Sequence, residues 1–388
     1  MAERAFGGVY RGKRVLITGH TGFKGSWLSL WLARLGAEVH GYSLEPPTER
    51  NLFHEAEVEA CLASHRIADV RDAEMLSSAI QIAQPEFVFH LAAQSLVRQS
   101  YREPRDTYDV NVMGTVNLLE ATRAVKSVRV CQIVTSDKCY ENHEWVYAYR
   151  ENDPMGGFDP YSSSKGCAEL VVSAYRRSFF PPDLHSEHGV SLASVRAGNV
   201  IGGGDWALDR IIPDCIRALE AGDPVRVRNP YATRPWQHVL EPLSGYLCLA
   251  AEQWREPARF SDAWNFGPTG AGNLPVEQIV EMVVGAWRTD RKWEVVSLLG
   301  GTAPTAGAPL HEAGFLKLDI TKSINLLGWQ PVFNVTEAVD MTVDWYRERV
   351  RSGSAFTGRE LCLSQINEYT QEAARTGVRW ADSIPAVR

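Results

Sequence analysis

The sequence predicts an α/β chain: a doubly wound, mostly parallel sheet, with a smaller, discontinuous C-terminal lobe that hands the chain back once to the first. Three observations carry that expectation. Short β-rich runs alternate with helical patterns through the first half. A glycine-rich turn joins the first run to the first helix. After Arg196 the texture changes to glycine- and arginine-rich segments broken by an apolar helix.

The first run, KRVLIT at residues 13–18, stops at Gly19, and a helical pattern starts near Gly25. Trp27, Leu28, Leu30, Trp31, Leu32 and Leu35 give that helix a broad apolar face, as packing on a sheet requires. Between strand and helix stand Gly19, Gly22 and Gly25. Glycine lets the backbone turn tightly and approach a pyrophosphate, and a helix start offers free N–H groups and the positive end of its dipole. The spacing is GxxGxxG, not the commoner GxGxxG, yet the strand–turn–helix context points to a Rossmann-type dinucleotide site. His20 and Lys24 lie among the glycines, where a positive group would supplement the backbone donors. Lys24 either reaches a cofactor ribose or phosphate or points to solvent.

Further strands are expected at residues 38–42, 87–91, 130–134 and 191–195. The second would ordinarily end in an acid for the ribose hydroxyls. Here it ends GYSLEPPTER, with Glu45 late and Arg50 later still, so this position does not separate NAD from NADP.

Bulk composition narrows the class. With 45% hydrophobic and 22% charged residues and a net charge of −7, the 388-residue chain reads as a soluble globular enzyme, with neither a nucleic-acid surface nor a polybasic membrane patch. The opening apolar run is broken by Ser26, Ser29 and Arg34 and lacks a cleavage site, so no signal peptide is expected; no segment approaches the ~20 apolar residues of a membrane span. Seven cysteines (Cys61, Cys131, Cys139, Cys167, Cys215, Cys248, Cys362) show no CxxC or Cys/His spacing, which predicts neither a metal site nor a disulfide framework and fits a reducing cytoplasm. The twelve tryptophans are read as core.

Two motifs place chemistry at strand ends. TSDKCY (residues 135–140) follows the 130–134 strand, and DPYSSSKGCAEL (residues 159–170) opens a helix. Tyr161 and Lys165, four apart, share a helical face, where an ammonium would lower the phenol's pKa and make it a usable base; Ser136 adds a hydroxyl.

Together with HLAAQ (residues 90–94) and TYDVNVMGT (residues 107–115), these motifs resemble the extended short-chain dehydrogenase/reductase superfamily. GHTGFKGSWLSLWL, TSDKCYEN, ENDPMGGFDPYSSSKG, RAGNVIGGGDW and RPWQHVLEPLSGYL resemble one branch of it, the CDP-glucose 4,6-dehydratases, over roughly residues 13–345. The resemblance implies NAD as cofactor and CDP-glucose as substrate. It implies that Tyr161, helped by Lys165 and Ser136, removes the 4-hydroxyl proton while hydride leaves C4, that water is then lost across C5 and C6, and that the hydride returns to C6. Asp137 would be the acid for the departing hydroxyl, which requires a protonated carboxyl. The related dTDP-sugar enzymes place a glutamate base at the next position, where this chain has Lys138. That lysine either acts as a neutral base, steadies an enolate, or pairs with Asp137. The resemblance further implies cofactor contacts from Gly19, His20, Thr21, Gly22, Phe23, Lys24 and Gly25, from Asp69 and Val70, from Leu91, Ala92 and Ala93, and from Tyr161 and Lys165. Gln94, Asn199, Arg210 and Arg234 would meet substrate, Arg234 at the pyrophosphate.

Residues 1–195 are expected to form the cofactor half, with residues 235–265 returning to it, residues 196–350 the sugar-nucleotide half, and residues 351–388 a polar helical tail without chemistry. Arg226 and Arg228 read as strand-surface charges, Trp206 and Trp236 as pocket walls or core, and residues 300–309 as a surface loop. An epimerase, or a dehydratase for another nucleotide sugar, is the main competitor, and a silent nucleotide sensor the second. A homodimer or homotetramer is expected from the resemblance, through the helix that bears Tyr161.

Overall fold

The computed structural model describes residues 2–290, 292–296, 314–351 and 356–381; the loop expected at residues 300–309 lies outside them. Among the described residues twelve strands follow in chain order: β1 (Arg14–Thr18), β2 (Glu38–Ser43), β3 (Ser64–Ile67), β4 (Phe87–His90), β5 (Val130–Val134), β6 (Ser191–Ala197), β7 (Asn199–Ile201), β8 (Val225–Val227), β9 (Thr233–His238), β10 (Ala263–Phe266), β11 (Asn273–Pro275) and β12 (Trp293–Val295). Seven form one sheet in the order β10-β6-β5-β4-β1-β2-β3. Every neighbouring pair in it is parallel. Every residue of β4, β5 and β6 is buried, as a parallel strand covered on both faces requires.

The longer helices are α1 (Phe23–Arg34), α2 (Ala73–Ala83), α3 (Gly114–Arg123), α4 (Pro160–Ser178), α5 (Ile211–Ala221), α6 (Leu240–Arg255), α7 (Val276–Trp287), α8 (Val335–Val350) and α9 (Gly358–Arg375). Alternation along the strands divides the core in two. Val15 and Ile17 of β1 point to the side of α1, α6 and α9, and Leu16 points to the side of α2, α3 and α4. The sheet is therefore doubly wound, as expected. The four expected strands appear at β2, β4, β5 and β6. The four-residue β3 at the sheet edge, three polar residues followed by Ile67, left no apolar run to read.

β6 runs to Ala197, and after Gly198 the chain enters a small sheet of order β11-β9-β7. β9 sits in that small sheet, so the return to the large one begins with α6 at Leu240, later than residue 235, and ends with β10 at Phe266. β12 and β8 pair separately. The tail is helical over Gly358–Arg375 and starts in a capping box of Thr357 and Glu360. Its face of Cys362, Ile366, Tyr369 and Ala373 is buried in the main core.

The tryptophans are mostly core: Trp27, Trp31, Trp264, Trp329 and Trp345 are fully buried. Trp236 donates to Leu274 O at 2.9 Å. Trp206 lies under the Arg50 guanidinium and edge-on to Tyr346. All seven cysteines are free. Among the described residues no helix is long and apolar enough to cross a membrane, and no cluster of His, Cys, Asp and Glu could hold a metal ion.

Candidate active site

Strand order reverses between β1 and β4, and in an open α/β sheet the crevice beyond the strands' carboxyl ends at that point is where ligands sit. The turn after β1 is built for close backbone approach. Gly19 has φ +77°, and a Cβ on it would lie 2.7 Å from Ala92 N and 2.9 Å from Leu91 C, where the chain leaving β4 crosses. A Cβ on Gly25 would lie 2.1 Å from Gly19 O. Gly22 starts α1 without a side-chain cap, and the first turn holds no acid. A helix start left uncapped behind such a turn fits the pyrophosphate of a dinucleotide. At the end of β2, Ser43 replaces the customary acid, and its hydroxyl pairs with Thr21 Oγ1 at 2.8 Å.

His20 departs from expectation. Its side chain is buried against Gly41 and edge-on to Phe53 and His65, with Nε2 3.4 Å from His65 Nδ1. Burial, followed by the neighbouring His65, lowers its pKa to about 4. It is neutral near neutral pH and adds no positive charge to the turn. Lys24 does not point to open solvent: its amine lies within electrostatic reach of Arg210, Asp137 and Lys165, and burial, then Arg210, lowers it to about 8.

The flanking segments are held by internal bonds. Asp69 is bound by the Arg71 guanidinium, and Val70 is buried beneath Gly114. Leu91 N donates to Thr18 O, and Ala92 N to Thr18 Oγ1. Ala93 continues this stretch toward Gln94, whose side chain donates to Thr107 Oγ1 and accepts from Leu96 N. That amide shapes its own loop, with Asn111 bridging Gln94 O to Ser164 Oγ of α4.

Ser136 stands at the end of β5 and caps a short turn over Asp137–Cys139. Its hydroxyl donates to Asp137 Oδ1 at 2.9 Å and accepts from Lys138 N at 3.3 Å. Asp137 Oδ2 is buried and finds no hydrogen-bond partner among the described residues. Gly198 faces it: a Cβ there would lie 3.2 Å away. Burial raises the Asp137 pKa against the opposing pull of Lys138, Ser136, Arg234 and Lys24.

Tyr161 enters this wall from the first turn of α4, whose start is capped by Asp159. Burial raises the phenol to about 12, hydrogen bonding with Ser136 and the charge of Arg210 pulling the other way. Lys165 is not among the strongest influences on it. The shared helical face is real, but the Lys165 amine turns to Val134 O at 3.4 Å, and its own pKa is lowered by burial to about 8. The expectation of a phenol ionised by its neighbouring ammonium is corrected accordingly.

Arg234 is 4% exposed and its charge reaches Asp137, so it serves the same wall. Arg210 pairs with Asp205 at 2.9 Å and reaches Ser95. Asn199 opens β7 and is half-buried at the lobe boundary. A buried pair beneath the site had escaped notice in the sequence: Glu169 and Arg196, 2.7 Å apart and both under 5% exposed, with Thr135 and Ser194 donating to the carboxylate. The signal was present, since Tyr161, Lys165 and Glu169 repeat every four residues on one helical face.

Residues 16–342 match the family model described as GDP-mannose 4,6 dehydratase. The chain is also 54% identical to the CDP-glucose 4,6-dehydratase of Salmonella typhimurium, over 88% of this chain and 92% of that protein. The chain belongs to the nucleotide-sugar 4,6-dehydratase family. Solved structures agree on the fold of this dehydratase-family chain. A dTDP-glucose 4,6-dehydratase from Streptomyces venezuelae, solved with NAD and TYD bound, superposes with a TM-score of 0.72 at 23% identity, covering 86% of this chain and 97% of that one. An epimerase from Methanothermobacter thermautotrophicus superposes with a TM-score of 0.74 at 21% identity, covering 90% and 96%.

Proposed function

We propose that this protein converts CDP-D-glucose to CDP-4-keto-6-deoxy-D-glucose as an NAD-dependent hydro-lyase. The observation that carries the reading is Asp137, a buried carboxyl with one unpartnered oxygen, raised pKa and a position beside Tyr161. An epimerase needs the tyrosine and lysine but no acid for a leaving hydroxyl, so this carboxyl favours elimination.

The residues that would hold NAD are the glycine turn with Thr21 and Phe23, Asp69 and Val70, residues 91–93, Tyr161 and Lys165. Bound there, NAD supplies the hydride acceptor for C4 and, once reduced, the hydride donor for C6. Tyr161 takes the proton of the 4-hydroxyl. With its phenol at about 12, that proton moves in concert with hydride departure, with Ser136 hydrogen-bonded alongside, instead of meeting a standing phenolate. Asp137 gives its proton to the departing C6 hydroxyl, and Lys138 steadies the enolate charge. Arg234, Arg210 and Asn199 hold the sugar and its phosphates, because arginine keeps its charge and grips phosphate in a fork.

Incubation with CDP-glucose tests the reading: a 4-keto-6-deoxy product should form with no net accumulation of NADH. Recovery of a C4-epimer, or faster turnover of dTDP-glucose or GDP-mannose, would replace it with the corresponding reading. The exposed Leu170 and Phe179 at the Tyr161 helix support a homodimer or homotetramer, which light scattering checks. The seven free thiols support a cytoplasmic setting.

A further inference from the structure

A phosphate cradle made of backbone needs no lysine, yet the second residue of α1 is Lys24. Its amine is set among three ionisable groups of the reaction wall, Arg210, Asp137 and Lys165. Among the described residues no hydrogen bond or ion pair within 4.0 Å engages it, so it is not spent on structure. The Asp137 oxygen that lacks a partner belongs to the same wall, and Lys24 is among the groups that act most strongly on that carboxyl.

The surroundings work on the two groups in opposite directions. Burial and two neighbouring cations, Arg210 and Lys165, disfavour the charged amine, and Asp137 alone favours it, leaving the amine at about 8. Burial raises the pKa of Asp137. An amine and a carboxyl in one wall, each moved by burial toward its neutral form, are the pair from which an elimination draws its base and its acid. Lys138 is placed differently. It follows Asp137 in the turn, and its charge opposes protonation of that carboxyl more than any other group does, which suits a fixed cation near the enolate.

We infer that Lys24 takes the proton from C5 of the 4-keto sugar and is the base of the elimination, an assignment that rests on the dehydratase reading above. The Nζ lone pair accepts the C5 proton, and the C5–H electron pair becomes the C5–C6 double bond. The C6–O bond breaks, and the hydroxyl leaves with the Asp137 proton as water. Lys24 is left as an ammonium holding the proton that C5 regains once C6 has its hydride.

Lys24→Met and Lys24→Arg in the full-length protein test the inference, because arginine keeps the charge and cannot serve as a base. Both variants should retain the wild-type unfolding temperature and NAD affinity and still oxidise C4. Both should lose deuterium exchange at C5 in heavy water, with elimination slowed about 10²–10⁴-fold. Restoration by arginine would show that charge alone matters and overturn the assignment. So would weakened NAD binding with turnover recovered at saturating NAD, which would make Lys24 a cofactor contact. If the variants fail to fold, single-turnover elimination by the wild type decides: its rate should rise with pH through about 8, and a flat profile overturns the inference. Wild-type protein that makes no 4-keto-6-deoxy sugar removes the dehydratase reading and this assignment together; normal turnover by Lys24→Met removes only the assignment.

Discussion

Asp137, Tyr161 and Lys165 share one buried wall, and burial moves each toward its neutral form: the two acids upward, the amine down to about 8. Removing one of them removes a proton position without opening a large cavity. Asp137→Asn should retain C4 oxidation, visible as reduced nicotinamide, and slow water loss about 10²–10⁴-fold. Lys138→Met should abolish elimination and leave C4 oxidation detectable; normal turnover in that variant would remove Lys138 from the chemistry. His20 illustrates the limit of reading residues singly. Its place among the glycines suggested a cation, but the missing Cβ of Gly41 makes room for the ring against strand β2, where water cannot reach it to stabilise charge.

Helix α4 works as one element. Tyr161, Lys165 and Glu169 line a single face, and the Glu169 carboxylate both favours the Lys165 charge and is neutralised by Arg196 of β6. This fixes the helix to the strand beside the one that carries Ser136 and Asp137. Arg196→Leu strands a buried carboxylate and should cost roughly 3–5 kcal/mol, read as a lower urea midpoint. The turn after β1 is equally intolerant. A methyl on Gly25 would overlap Gly19 O, so Gly25→Ala should abolish NAD binding in a calorimetric titration, and unchanged affinity would show that the turn can relax. The glycines and the four-residue repeat were legible because local geometry imposes their spacing. β3 and the Asn111 bridge were not, since edge pairing and loop-to-helix bonds leave no periodic trace.

At the scale of the molecule, one buried carboxyl joins the apolar face of the tail in tying it to the core. Glu241 of α6 accepts from Val332 N, Phe333 N and the Tyr369 hydroxyl of α9. Burial raises it from 4.5 to about 7. A buried acid with a raised folded pKa stabilises the fold fully below its unfolded value, and that contribution is lost as pH rises through the folded one. Stability should therefore fall between pH 4.5 and about 7, by about 3 kcal/mol at most. Glu241→Gln should flatten that decline, and an unchanged pH dependence of the melting temperature would exclude Glu241 as its source.

The sequence by itself determined the parallel sheet, the phosphate turn, the Tyr161–Lys165 face and the family, because strand alternation, glycine spacing and long motifs are written along the chain. Tertiary structure decided that His20 is a neutral core residue, that the Lys165 amine bonds the Val134 carbonyl, that Lys24 and Arg234 converge on Asp137, and that Arg210 bears on Tyr161 and Lys24. Charge state depends on what surrounds a group in space, and those surroundings come from segments more than a hundred residues apart.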